Sequence, residues 1–204
     1  MVKKIIYIAS FILLACNLSY AKEDVMFASS STNIYLDNTH TKAVGVLEIG
    51  ASVDVLDKKG KYYKVLIKGW QQKGLTSAIY AFKGIRIIKA ELTPNGEKFL
   101  DTLKSVKDEN TGLTWIEVEL KSVWVDSKDL SPNMDKVWSK AAKLFHERCS
   151  MCHALPKSTK FTANQWPSTL RVMAKRAALD RAQTDTVTKF LQYNAKDTKG
   201  KILR

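Results

Sequence analysis

The sequence predicts an α+β, multidomain chain, with an all-β N-terminal part made of one or more small barrels and an all-α C-terminal domain. Three observations predict it. Residues 22–130 carry short runs of alternating apolar and polar side chains broken by Gly, Asn and Asp, the period of half-buried strands. From Ser131 onward the apolar period lengthens to that of amphipathic helices. Within that helical part lies Cys149-Ser150-Met151-Cys152-His153, a C-x-x-C-H run. The expected division is 1–21, an export signal; 22–82, a β domain; 83–130, a second and weaker β unit; and 131–204, a helical domain around the cysteines.

The leader comes first. Lys3 and Lys4 form a positive start, Ile5 to Ala15 an apolar stretch, and Ser19-Tyr20-Ala21 a small-x-small cleavage site. The apolar stretch is short for a membrane span, so the mature chain is expected to have no integral span. Cleavage after Ala21 suits the polar residues that follow the apolar stretch. Leu13-Leu14-Ala15-Cys16 offers the alternative, a lipoprotein anchored at Cys16. Either route places the chain outside the cytoplasmic membrane, in the periplasm of a bacterium.

In the β-rich part, Ser52-Val53-Asp54-Val55-Leu56 alternates cleanly, Lys58-Lys59-Gly60-Lys61 supplies a turn, and Tyr63, Val65 and Ile67 share one face of the next strand. Thr114 to Leu120 repeats the pattern more weakly, with Ile116, Val118 and Leu120 on one face. Val46-Leu47-x-x-Gly50-Ala51-Ser52-Val53-Asp54-Val55-Leu56, Tyr62-Tyr63-Lys64-Val65 and Gly69-Trp70 together resemble bacterial SH3-like domains. That resemblance implies small SH3-like barrels, a fold that mostly binds proteins or cell-wall peptides. Tyr62, Tyr63 and Trp70 would then line an aromatic groove or pack the barrel core. His40 reads as a surface residue, and nothing here suggests catalysis.

The helical part carries the chemistry. Ser131 with Pro132 reads as a helix start, and Val137, Ala141, Leu144 and Phe145 fall on one face of a helix running to about Glu147. This helix delivers Cys149 and Cys152. Two thiols at that spacing can each add to a vinyl group of haem, and His153 directly after them becomes the proximal iron ligand. A zinc site usually needs a second cysteine pair, and the remaining Cys16 lies in the leader. A thioredoxin-like pair would need a surrounding βαβ pattern, which is missing. The reading is one covalent haem c.

After His153 the chain holds no further histidine and one methionine, Met173. Trp166, Leu170, Met173, Ala174 and Ala177 align on one face of a helix opening at Trp166-Pro167. Trp166 and Leu170 would cover the haem, and the Met173 thioether would be the distal iron ligand. His146 stands on the proximal approach. Arg176, a turn beyond Met173, either pairs a haem propionate or stays solvated. The Pro156 carbonyl would orient the His153 ring, Pro156 also stopping a helix. A last helix, about Thr184 to Tyr193, would cross the first near Phe145, and Lys196 to Arg204 reads as a frayed tail.

Cys149-x-x-Cys152-His153-Ala154-Leu155-Pro156, Trp166-Pro167-x-x-Leu170-x-x-Met173-x-x-Arg176-Ala177 and Tyr193-Asn194-Ala195-Lys196-Asp197 resemble the terminal monohaem domain of cytochromes that feed periplasmic molybdenum N-oxide and S-oxide reductases, such as trimethylamine N-oxide reductase. The resemblance spans residues 131–200. It implies a class I-like cytochrome c domain that takes electrons from a quinol-linked or cytochrome donor and passes them to such a reductase. The multihaem, membrane-anchored part of those cytochromes is replaced by the β-rich region.

Charge narrows the partners further. The chain carries a formal net charge of +13, two units of which leave with Lys3 and Lys4. Nucleic acid does not fit an exported chain whose lysines are scattered rather than interleaved with aromatics. An acidic protein partner and a merely soluble basic surface remain. An enzyme such as a peroxidase would need acid–base groups at an open distal site, which an apolar stripe does not supply. The sequence thus predicts an electron-transfer protein and not an enzyme, with a haem-based sensor or cell-wall- or protein-binding module as the alternative.

Overall fold

The computed structural model describes residues 24–39, 41–152 and 154–201. The leader, Cys16, His40 and His153 lie outside them. Strands β1 (Asp24–Ala28), β2 (Thr32–Tyr35), β3 (Ala43–Leu47), β4 (Ser52–Lys59), β5 (Tyr62–Gln72), β6 (Ala78–Phe82) and β7 (Ile85–Leu92) come first. A short helix, α1 (Pro94–Glu97), leads to β8 (Leu100–Lys107), β9 (Thr114–Asp126) and β10 (Leu130–Ser131). Three helices follow, α2 (Met134–Cys149), α3 (Trp166–Ala174) and α4 (Arg181–Tyr193).

The β4–β5 hairpin forms where the alternation predicts it. Lys59 faces Tyr62 across a two-residue turn in which Gly60 takes φ 61°, a left-handed conformation that costs glycine least. β9 is the strand that closes the architecture. It pairs with β5 from Tyr62↔Asp126 to Gln72↔Trp115, and its other edge takes β2 at Trp124 and β8 between Thr114 and Leu120. A bulge lets one strand serve both ends: between Val65↔Val123 and Ile67↔Leu120 two residues of β9 oppose one of β5, with Ser122 at φ 60°. The path β5-β6-β7-β3-β2-β9 returns to β5, so six strands form a closed barrel with no free edge among them. Ile34, Leu47, Val65, Ile67, Ile79, Val118, Leu120, Val123 and Val125 fill it, each fully buried.

This architecture corrects the expected fold class. Strands from 22–82 and 83–130 build one barrel, not tandem SH3-like units, because β9 finds its partners in β5 and β2. Nor do the helices make a separate all-α, class I-like cytochrome c domain. Only 27% of the described structure is helical. The helical core is also completed by the sheet: Ile85 and Ile87 of β7 are buried with Val137, Trp138, Phe145, Trp166, Val187 and Leu191, and Phe27, Ile49 and Phe82 pack against them. The reason is geometric. Three short helices cannot enclose both a cleft and their own apolar stripes, so the outer face of the barrel serves as the missing wall.

Smaller expectations shift as well. The cap of α2 is Asn133, whose Oδ1 accepts from the amides of Asp135 (2.9 Å) and Lys136 (3.2 Å), while Ser131 pairs with Phe27 in the sheet. The tail is not frayed through Lys201. The Thr198 hydroxyl donates to the Gln192 carbonyl (2.6 Å), Lys196 N donates to the Phe161 carbonyl (3.0 Å), and Ala195 and Thr198 are buried. Of Tyr62, Tyr63 and Trp70, Tyr63 packs against the barrel core. Each is half-buried, and Lys61, Lys58 and Lys104 respectively sit over their rings.

Candidate cofactor site

A cleft opens between the C-terminal end of α2 and helix α3. Phe145, Arg148, Cys149, Cys152 and Pro156 line one side; Trp166, Thr169, Leu170, Met173, Arg176 and Ala177 line the other. The described residues expected to contact haem line this one place: both thiols, Trp166, Leu170, Met173 and Arg176. Arg148 and Thr169 were not foreseen. The signal was present, since Phe145, Arg148, Cys149 and Cys152 stand at i, i+3, i+4 and i+7, and Thr169, Met173 and Arg176 at i, i+4 and i+7.

Helix α2 is long enough to carry Cys149 past the barrel, and its last turn closes with Ser150 N donating to the His146 carbonyl (3.2 Å). Cys149 is half-buried and Cys152 exposed. Burial pushes the Cys149 thiol above its ordinary value, because apolar surroundings disfavour the thiolate. Helix α3 is placed by what precedes it. The Asp197 carboxylate accepts from Ala163 N (2.8 Å), the Gln192 side-chain amide donates to the Ala163 carbonyl (3.1 Å), and Asn164 accepts from Arg86 N (2.8 Å) and donates to the Gly84 carbonyl (3.3 Å). The loop that starts α3 is thus tied to the barrel, to α4 and to the tail.

Trp166 is buried, donates Nε1–H to the Ser158 carbonyl (2.8 Å), and meets Phe145 and Phe161 edge-on at ring separations of 6.4 and 5.0 Å. After α3 the chain turns out at Ala178, φ 49°, with Leu179 N donating to the Ala174 carbonyl (3.0 Å) and Ala178 N to the Lys175 carbonyl (3.4 Å). This is a Schellman stop. It fixes where Met173 and Arg176 face.

The donor set suits a covalently held haem. Carbon-rich walls could receive a macrocycle, two thiols stand on one side of the cleft and a thioether on the other, and among the described lining residues the charged groups are the guanidinium groups of Arg148 and Arg176. Among the described residues no cluster of three or more His, Cys, Asp or Glu offers a site for a bare metal ion. An apolar cleft with a C-x-x-C pair at its mouth defines the class, a c-type cytochrome.

Residues 20–130 match the family described as the TorC third cytochrome c domain, and the chain belongs to that family. The cytochrome c-type protein TorC of Escherichia coli K12 is 28% identical over 179 residues, 87% of this chain and 46% of the relative. The cytochrome c-type protein TorY of E. coli O157:H7 is 28% identical over 184 residues, 89% of this chain and 50% of the relative. TorY of Haemophilus influenzae is 30% identical over 131 residues, 64% of this chain. The chain spans half or less of the length of these relatives. No solved structure matches. The family match ends before the cysteines, and residues 20–130 contain none. It is the barrel that carries family membership, so the β-rich region is shared with these cytochromes and is not a replacement for part of them, while the longer alignments to the E. coli proteins necessarily run on into the helices.

Proposed function

We propose that this chain is a periplasmic monohaem electron carrier that delivers single electrons to a molybdenum-dependent N-oxide or S-oxide reductase, such as trimethylamine N-oxide reductase. One observation carries the reading. Met173 lines the same apolar cleft as the cysteine pair Cys149 and Cys152, although a loop and part of another helix separate them in sequence. Haem, when bound, supplies the one-electron iron chemistry, and the chain's residues supply attachment, burial and docking. Cys149 and Cys152 would hold the macrocycle as thioethers, and His153 and the Met173 sulfur would bind its iron. Trp166 and Leu170 exclude water from the face that α3 covers, and Arg176 balances a propionate. The leader directs the chain out of the cytoplasm, with cleavage after Ala21 or lipidation at Cys16.

Membership of a TorC family and likeness to TorC and TorY support the assignment to N-oxide respiration. Such a carrier accepts electrons from a quinol-linked or cytochrome donor upstream. No helix among the described residues is long and apolar enough to cross a membrane.

The test is production of the full chain in a host competent for cytochrome maturation. The expected product is coloured and heavier by one haem, with a sulfur-to-iron charge-transfer band in the oxidised form. Met173→Ala should abolish that band and lower the reduction potential, because a thioether favours ferrous iron. A colourless product sinks the haem assignment, and an unchanged band in Met173→Ala sinks the distal ligand. A haem-loaded chain that cannot reduce a purified N-oxide reductase removes the proposed acceptor.

A further inference from the structure

Resting on the carrier reading above, we infer that Asp197, in the tail beyond α4, is the positioning residue for the distal ligand. Its carboxylate caps the turn that starts α3 and so holds Met173 at the cleft. Helix α3 does not cap itself. Gln165, at its cap position, makes no side-chain bond to the first helical amides, and the first turn carries no acid. The helix is extended backward by one turn, with Gln165 N and Trp166 N both donating to the Thr162 carbonyl at 3.0 and 3.2 Å. Amides at the head of such a turn have no partner within it. Gln165 Oε1 accepts from Thr162 N (3.0 Å), and Asp197 Oδ1 accepts from Ala163 N (2.8 Å). The second acceptor is a carboxylate 34 residues away, so it ties the helix to the tail through the stronger, charge-assisted kind of bond.

Neighbouring bonds close this clasp. Lys196 N donates to the Phe161 carbonyl (3.0 Å), and the Gln192 amide donates to the Ala163 carbonyl (3.1 Å). The Thr198 hydroxyl accepts from Ala195 N (3.1 Å) and donates to the Gln192 carbonyl (2.6 Å), which fixes the tail on α4. Ala163 and Ala195 are fully buried. Ala163 therefore has its amide held by the tail and its carbonyl by α4. The exit of α3 closes on its own carbonyls, at Ala174 and Lys175, whereas its entry is bonded to the rest of the protein. It is the entry that sets where the helix lies. Asp197 is not among the residues lining the cleft, so it acts on Met173 through Ala163. The thiols are joined covalently to haem, but the Met173 sulfur stays only where α3 puts it.

The test uses the haem-loaded full chain, Asp197→Ala, Asp197→Asn, and Ile34→Val as a control that thins the barrel core without touching α3. Imidazole is titrated into the oxidised protein, and loss of the sulfur-to-iron band reads displacement of Met173. Imidazole binds only when α3 lets the sulfur leave, so its apparent affinity reports the population of that state. Asp197→Ala is expected to bind imidazole about tenfold more tightly than the parent. Asp197→Asn keeps an oxygen acceptor without its charge and should lie between the two. It carries the comparison by itself if the alanine variant does not take up haem. Ile34→Val should bind imidazole as the parent does while melting earlier, a separation that a merely structural role for Asp197 would not give. Hydrogen exchange read in parallel should quicken over Trp166–Ala174 in Asp197→Ala and stay as in the parent over Met134–Cys149. Unchanged imidazole affinity and α3 exchange in the Asp197 variants overturn the inference and leave the carrier intact. An equal gain in Ile34→Val overturns it too, since overall stability and not the clasp would then govern the ligand. A parent without a sulfur-to-iron band brings down the distal ligand itself, and this inference with it.

Discussion

Lys89 shows what one side chain costs inside a closed barrel. It is 2% exposed, its Nζ donates to the Lys68 carbonyl (2.7 Å), and the nearest acid, Asp54, is already held by Lys68 at 3.0 Å. Burial lowers the Lys89 pKa from 10.5 to about 8, with Asp54 opposing the shift and Lys68 adding to it. The sign follows. Below pH 8 the amine is charged in both folded and unfolded chains, and the folded state bears the desolvation cost. Between about 8 and 10.5 the folded chain sheds its proton first, so this group's contribution to stability rises with pH. Lys89→Met should therefore raise the urea midpoint at pH 7 by the equivalent of about 1–3 kcal/mol. That gain should shrink by pH 10, and a gain independent of pH would refute the assignment. The alternation of Ile85 and Ile87 announces β7 and puts Lys89 in step with these two buried residues, but a lysine at that place reads as the strand's exit from the core. Burial of a lysine is decided by where the neighbouring strands lie.

At the scale of elements, the joint between barrel and helices rests on Gly50. It adopts φ 81°, and a Cβ built there would sit 2.3 Å from Cζ2 of Trp138 and 3.0 Å from the Tyr193 ring. The missing side chain is what lets α2 and α4 lie against the barrel. Trp138 meets Tyr193 at 5.5 Å and Phe190 at 6.1 Å in tilted ring contacts, and Phe190 reaches Phe145, which lines the cleft, at 6.3 Å. Gly50→Ala adds left-handed strain and overpacking and should cost about 2–4 kcal/mol. Its near-UV circular dichroism should change through Trp138, and a stability within error of the parent would contradict the joint. Much of this level was legible. Helical spacing brought Trp166, Leu170 and Met173 to one cleft; α2 ends at Cys149, so Cys152 reaches that cleft from the turn after the helix. Barrel closure was not, because alternation in Thr114–Leu120 marks a strand without naming its partner, and β5 lies some fifty residues earlier in the chain. Nor does composition reveal that Thr198 and Asp197 bond back to Gln192 and Ala163; a polar, glycine-containing tail reads as loose until its acceptors are known.

For the molecule as a whole, the apolar groups that steady the cleft are not confined to the segment that lines it. Ile85 and Ile87 are buried among helical side chains, Phe82 meets Tyr193 at 6.4 Å, and Lys189 of α4 donates to the Ile88 carbonyl of β7. Asn164 anchors the start of α3 to the turn between β6 and β7. A chain so joined should unfold in one transition, with strand and helix signals and tryptophan fluorescence losing structure at the same denaturant concentration. The same sharing makes a sharper prediction for a fragment beginning at Ser131. It retains Cys149, Cys152 and Met173 but loses the wall formed by β7, so its helices have an uncovered apolar face and too little core to hold α3 against α2. Its far-UV helical signal per residue should fall well below the share contributed in the parent. Any haem it acquires should show a weakened or absent sulfur-to-iron band, because the thioethers are covalent whereas Met173 is positioned only by non-covalent contacts. If the fragment instead kept the parent's band and melting temperature, the barrel would be a separable binding module and not the back wall of the cofactor site.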